Sequence, residues 1–321
     1  TCVTGCVATA MAQVMNYHQW PKEPSTEIPG YGYTVSNLDT GNGLIEDFEM
    51  SDLTPITFDW ANMCDQLTNS DGSTAAGVTR NNIMAVARLM LYCGQSVQMS
   101  YSPNISLSYT SYVAQALRNY FGYDKGVRII NRLGYSISDW ENVIYQELAN
   151  NRPVVYAGQS DSGGHAFVCD GYDGNGMFHI NWGWGSYYED YFSLSVLNPY
   201  AQNVSGITVA GVGFCMSQEA VIGIQPPTEG TVAADDLPQL TNLANYNVID
   251  LGDEYQVTWN YLYTNLLYPK ATFQFDLVLR TQDGNLHPLQ VGYLPVNVET
   301  ELNYYNNQPN LIPAFNISCS L

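Results

Sequence analysis

The most constraining feature of this 321-residue chain is a change of hydrophobic period near residue 153. Before it, apolar residues recur at helical spacing. Val7, Met11, Val14, Met15 and His18 form one stripe over 6–19, with Thr4 as the expected N-cap and Pro21 as the stop. A second stripe, Ile83, Val86, Ala87 and Met90, predicts a helix over 81–92 that Gly94 ends. Residues 111–121 read as a third helix and 138–150 as a fourth, opened by the capping-box spacing of Ser138 and Glu141. The stretch 22–79 is rich in Gly, Asp, Thr and Ser and reads as loop. After residue 153 the runs are short and strand-like: 153–158, 165–172, 177–182 and 191–197. Two of them flank Asp173-Gly174-Asn175-Gly176, which is hairpin turn chemistry. Helices first and strands second predict an α+β fold.

A chain of this length exceeds what one hydrophobic core usually serves. The boundary is expected at Gln225-Pro226-Pro227-Thr228, giving domains 1–225 and 226–321. The second shows alternating runs at 255–261 and 271–279, an Asp283-Gly284 turn and no helical period, and reads as a small all-β sandwich. With 30 acidic and 10 basic residues the net charge is -20, which argues against nucleic acid or anionic membrane as a partner. No apolar run approaches the ~18 residues of a membrane span. The charge profile and 25 tyrosines suit a secreted protein.

Seven cysteines form neither a CxxC pair nor a zinc-type cluster, and their odd number leaves at least one free thiol. Cys93 and Cys169 lie in apolar runs and are expected to be inert. Cys6 differs, because it opens a helix directly after Gly5, where free amides and the helix dipole favour a thiolate. A thiolate needs a base. Of the four histidines, His165 follows Gly163-Gly164 at a strand mouth and is accessible. His18 reads as a helix end, His179 as a satisfied strand histidine, and His287 lies in the second domain. Asn181, brought back by the hairpin, offers an amide to hold the imidazole, and Trp182 a shield for that bond.

These residues carry a resemblance. Thr4-Gly5-Cys6-Val7-Ala8-Thr9-Ala10, Tyr17-His18, Gly163-Gly164-His165-Ala166-Phe167-Val168, Asn181-Trp182-Gly183-Trp184-Gly185 and Leu197-Asn198-Pro199 are similar to the streptopain family of secreted cysteine peptidases, in its Bacteroidetes-type form with a C-terminal β-domain. The likeness covers about residues 1–225. It implies a papain-like domain, endopeptidase activity on protein or peptide substrates without a cofactor or metal, and secretion as a zymogen; the motif falling within six residues of Thr1 leads to the expectation of a signal peptide and pro-segment upstream. It assigns Cys6 as nucleophile, His165 as base and then acid, Asn181 as orienter and Trp182 as shield. By position Ala10, Gln159, Gly164 and Trp182 would line the subsite for a hydrophobic residue. One departure stands out: the family's oxyanion-donor glutamine falls on Ala157, which has no donor. Two rival readings follow: a degenerate papain-like protein that binds or adheres, or another acyl-transfer enzyme on the same fold.

Overall fold

The computed structural model describes residues 2–35, 45–69, 71–132, 135–201 and 213–234, and beyond them seven strands between Leu243 and Cys319. The chain divides into two units, Thr1–Asp235 and Asp236–Leu321. The first opens with helix α1 (Cys6–His18), which begins with the expected residue but is capped by Gly5 rather than Thr4. Gly5 sits at φ +85, and a Cβ there would lie 2.7 Å from both Met99 Sδ and Cε, so both backbone and neighbours demand glycine. Strands β1 (Tyr31–Val35) and β2 (Glu46–Met50) pair antiparallel inside the stretch read as loop.

Helix α2 (Arg80–Ser96) starts at a reciprocal capping box between Thr79 and Asn82. It runs through Gly94 instead of ending there. The glycine serves packing: a Cβ at Gly94 would stand 1.9 Å from the Tyr101 hydroxyl. Helix α3 (Ser111–Phe121) ends at Gly122 in the left-handed region. Helix α4 (Ile137–Ala149) is capped by Ser136, whose hydroxyl accepts from the Asp139 amide, so the cap lies two residues before the expected Ser138.

Six strands then form one antiparallel sheet: β3 (Arg128–Asn131), β4 (Val154–Ser160), β5 (Gly163–Tyr172), β6 (Phe178–Asn181), β7 (Asp190–Phe192) and β8 (Met216–Ile222). Their order is β3-β8-β4-β5-β6-β7. The fourth expected strand is shorter than read, because a turn at Ser193 accepts from the Val196 and Leu197 amides. The β5–β6 hairpin closes as its sequence predicts. Asp173 Oδ1 accepts from the Asn175 and Met177 amides at 2.7 and 3.0 Å, with Gly174 and Gly176 at positive φ.

Alternation along these strands divides the sheet into two faces. On one, Val154, Tyr156, Phe167, Cys169, Phe178 and Ile180 bury against Trp140 and Ile144 of α4. The Trp140 indole N–H donates to the Tyr156 hydroxyl at 2.7 Å, which satisfies both buried polar groups. Each such buried side chain stabilises the fold by about 1.5–3 kcal/mol. The opposite face takes α1, and α2 stacks behind it through Cys93 Sγ and Met15 Sδ, 3.6 Å apart.

The first unit extends past the expected boundary. Asp124 accepts from the Thr228 amide (2.7 Å) and the Thr231 hydroxyl (3.0 Å), holding 226–234 against it. In the second unit β9 (Leu243–Asp250), β10 (Tyr255–Leu262), β11 (Ala271–Phe275), β12 (Val278–Arg280), β13 (Leu286–Pro288), β14 (Val296–Thr300) and β15 (Phe315–Cys319) pair as β15-β10-β9, β11-β14 and β12-β13. The expected run 271–279 is thus two strands. The expected sandwich packing and the Asp283-Gly284 turn lie outside the described residues.

Candidate active site

Cys6, Thr9 and Gln13 are spaced i, i+3, i+7 on α1 and share one stripe. That stripe faces the end of β6. Gln13 Nε2 donates to Asn181 Oδ1 at 3.1 Å. A Cβ on Gly183 would lie 3.2 Å from Thr9 Cγ2, so the chain after β6 passes directly against the first turn of α1. Cys6 sits at the open end of the stripe and is partly exposed. The first amides of an α-helix have no intrahelical acceptor. Cys6 supplies the first of these amides, and Thr9 Oγ1 donates to the Gly5 carbonyl at 2.9 Å.

His165 lies near the start of β5, opposite Gly158 of β4. Its Nε2 is 2.8 Å from the Trp182 carbonyl oxygen. A carbonyl only accepts, so Nε2 carries the proton and Nδ1 is left with its lone pair. The ring is enclosed by aromatics. Trp184 stacks on it with centroids 4.8 Å apart, Phe214 lies at 5.4 Å, and Trp182 at 6.4 Å. Burial among these rings pushes the His165 pKa below its ordinary 6.5, and the bond to the Trp182 carbonyl opposes that shift. The neutral imidazole therefore persists to lower pH than usual.

Asn181 is brought to the site, but its amide oxygen is engaged elsewhere. It accepts from Gln13 and, at 2.9 Å, from the Gly183 amide. The acceptor facing the imidazole is instead the carbonyl of the next residue. Asn181 thus ties α1 to the loop that holds His165. Replacing it with alanine strands two donors, each costing about 1–3 kcal/mol when buried. Asn181→Ala is expected to lower Tm measurably while reducing kcat/KM by less than about 10-fold, far below the effect of losing an acid–base group. A thermal melt paired with a peptide assay checks this.

Trp182 is fully buried and its indole N–H donates to the Tyr188 carbonyl at 3.0 Å. Gln159 and Gly164 are exposed and adjacent: a Cβ on Gly164 would stand 2.5 Å from Gln159 Nε2. Ala10 is only 1% exposed, within α1. Ala157 is buried between Ala166 of β5 and Glu219 of β8 in the strand register. Sequence reasoning assigned no role to Gln13, Trp184 or Phe214. Gln13 was readable from its spacing to Cys6 and Trp184 from its place in the motif, whereas Phe214 is remote in sequence.

His18, His179, Cys93 and Cys169 occupy other positions. His18 ends α1, and His179 Nδ1 pairs with Asp170 at 2.5 Å. Cys93 and Cys169 have no exposed surface, and burial raises the pKa of both, so neither supplies a thiolate. Among the described residues no group of three His, Cys, Asp or Glu is placed to hold a metal, and no helix is long and apolar enough to cross a membrane.

Residues 1–192 match the Peptidase C10 family. The chain belongs to that family. Streptopain of Streptococcus pyogenes is 37% identical over 223 residues, covering 70% of this chain and 52% of that protein. The thiol protease/hemagglutinin PrtT of Porphyromonas gingivalis is 36% identical over 223 residues, 70% of this chain and 24% of that protein. The C10 chain therefore spans about half the length of the streptopains it matches. Active wild-type interpain A cysteine protease of Prevotella intermedia aligns with a TM-score of 0.54 at 31% identity, over 70% of this chain and 84% of that one. The expected streptopain likeness is borne out, and the mixed helix-and-sheet first unit has a cysteine protease as structural neighbour.

Proposed function

We propose that this C10 family member is a secreted cysteine endopeptidase, with Cys6 as nucleophile and His165 as general base and acid. The observation that supports this best is the Trp182 carbonyl on Nε2, which leaves Nδ1 as the free base. Nδ1 takes the Cys6 proton, and the thiolate attacks the peptide carbonyl carbon. The oxyanion is met by the Cys6 amide at the α1 N-terminus, where the helix dipole adds to the hydrogen bond. The imidazolium then gives its proton to the leaving amine as the C–N bond breaks, producing a thioester. Water, losing a proton to His165, hydrolyses the thioester and frees Cys6. Gln159 and Gly164 supply an exposed wall for substrate. Trp182 keeps water from the orienting bond.

Ala157 motivates the rival reading of a degenerate binding protein, since one oxyanion donor is worth about 10²–10³ in rate elsewhere. Casein hydrolysis in reducing buffer, with and without the epoxide inhibitor E-64, separates the two. The peptidase reading expects cleavage that E-64 blocks, with mass mapping locating the label on Cys6. A folded protein that neither cleaves nor labels selectively would favour the binding reading.

A further inference from the structure

An aromatic row leads away from His165 over the surface. Trp184 stacks on the imidazole, Tyr188 meets Trp184 edge-on at 6.4 Å, and Tyr200 meets Tyr188 at 5.4 Å. The outer two rings are 45% and 56% exposed, which is unusual for aromatics already in contact with one another. Their placement is fixed. Tyr188 is held at φ +64, a region that costs a bulky residue energy, while its carbonyl accepts from the buried Trp182 indole. The Tyr200 amide donates to Asn198 Oδ1 at 3.0 Å. A strained backbone that presents an exposed ring is the pattern of a contact surface rather than of a core.

The contact of the row with His165 points to what it meets. His165 must hand its proton to the leaving amine, so the substrate segment on the C-terminal side of the cleaved bond runs past His165. Trp184 stacks on that imidazole, and Tyr188 and Tyr200 follow it in ring-to-ring contact. We infer that these three residues form a subsite for large apolar or aromatic side chains on the leaving-group side of the scissile bond. This rests on the peptidase reading above. Rigid aromatic rings bind such side chains with little loss of rotamer freedom.

The test uses acyl transfer. A peptide methyl ester loads Cys6 as a thioester, releasing methanol, which leaves the row empty. Added phenylalanine amide or serine amide then competes with water. The thioester C–S bond breaks, a C–N bond forms, and the amine proton passes to His165. The ratio of aminolysis to hydrolysis product reads the subsite alone. We expect the wild-type protein to capture phenylalanine amide about 10-fold more efficiently than serine amide. In the double variant Tyr188→Asn, Tyr200→Ser the preference is expected to fall to within about two-fold; asparagine tolerates the left-handed backbone. Each protein is scored against its own methyl ester hydrolysis. Ester hydrolysis by the wild type without that preference would overturn the subsite and spare the peptidase reading, as would a double variant that keeps the preference. Failure of the wild type to hydrolyse the ester would remove both.

Discussion

Cys6→Ala is expected to lower peptide hydrolysis by about 10⁴-fold or more while leaving the melting temperature within a few degrees of the original protein. The size follows from the chemistry, because alanine has no group to attack the peptide carbonyl. Among the described thiols, Cys93 and Cys169 have no exposed surface and raised pKa values, so neither can replace the nucleophile. The small stability effect follows from position. Cys6 is the first residue of α1 and partly exposed, and alanine is the best helix former. A progress curve on a fluorogenic peptide, with a thermal melt on the same sample, separates catalysis from folding. Activity retained by the variant would sink the assignment of Cys6.

His165→Ala is the second large effect, with an expected loss of about 10³-fold or more in kcat/KM, since in the proposed mechanism one residue serves as base in acylation, acid in amine release and base again in deacylation. Its pH profile adds a test that a structural role would not pass. Burial lowers the His165 pKa below 6.5. The base form is then retained as pH falls through 6.5 and is lost only below it, so the acid limb of wild-type kcat/KM is expected to lie on the acid side of 6.5. An acid limb above that value would contradict the burial described for the ring.

Much of this was legible in the sequence, for reasons that differ by residue. The stripe of α1 and the Asp173–Gly176 turn are local, and local chemistry decides them. His165 was readable because it follows two glycines at a strand mouth. Where structure and sequence pattern differ, a residue type with two uses takes the less common one. Gly94 has the position of a helix stop, yet it gives room to Tyr101. Ser138 has the spacing of a cap, yet Ser136 has it too and makes the bond. Asn181 offers the expected amide, but Gln13 and Gly183 claim its oxygen, and no one-dimensional pattern shows which of two nearby donors reaches it. The imidazole's actual acceptor was hidden altogether, because every residue has a carbonyl and the sequence does not say which one points inward.

That last feature bears on how the protein tolerates change. An orienting group made of a side chain can be lost by a single codon change. The Trp182 carbonyl belongs to the main chain, so no substitution at that position deletes the atom. The proton on Nε2 is therefore protected against drift at the residue that holds it, and loss requires moving the backbone. The positions where sequence is constrained shift outward, to Gly183 against Thr9, and to Asn181 with Gln13, which fix where that backbone runs.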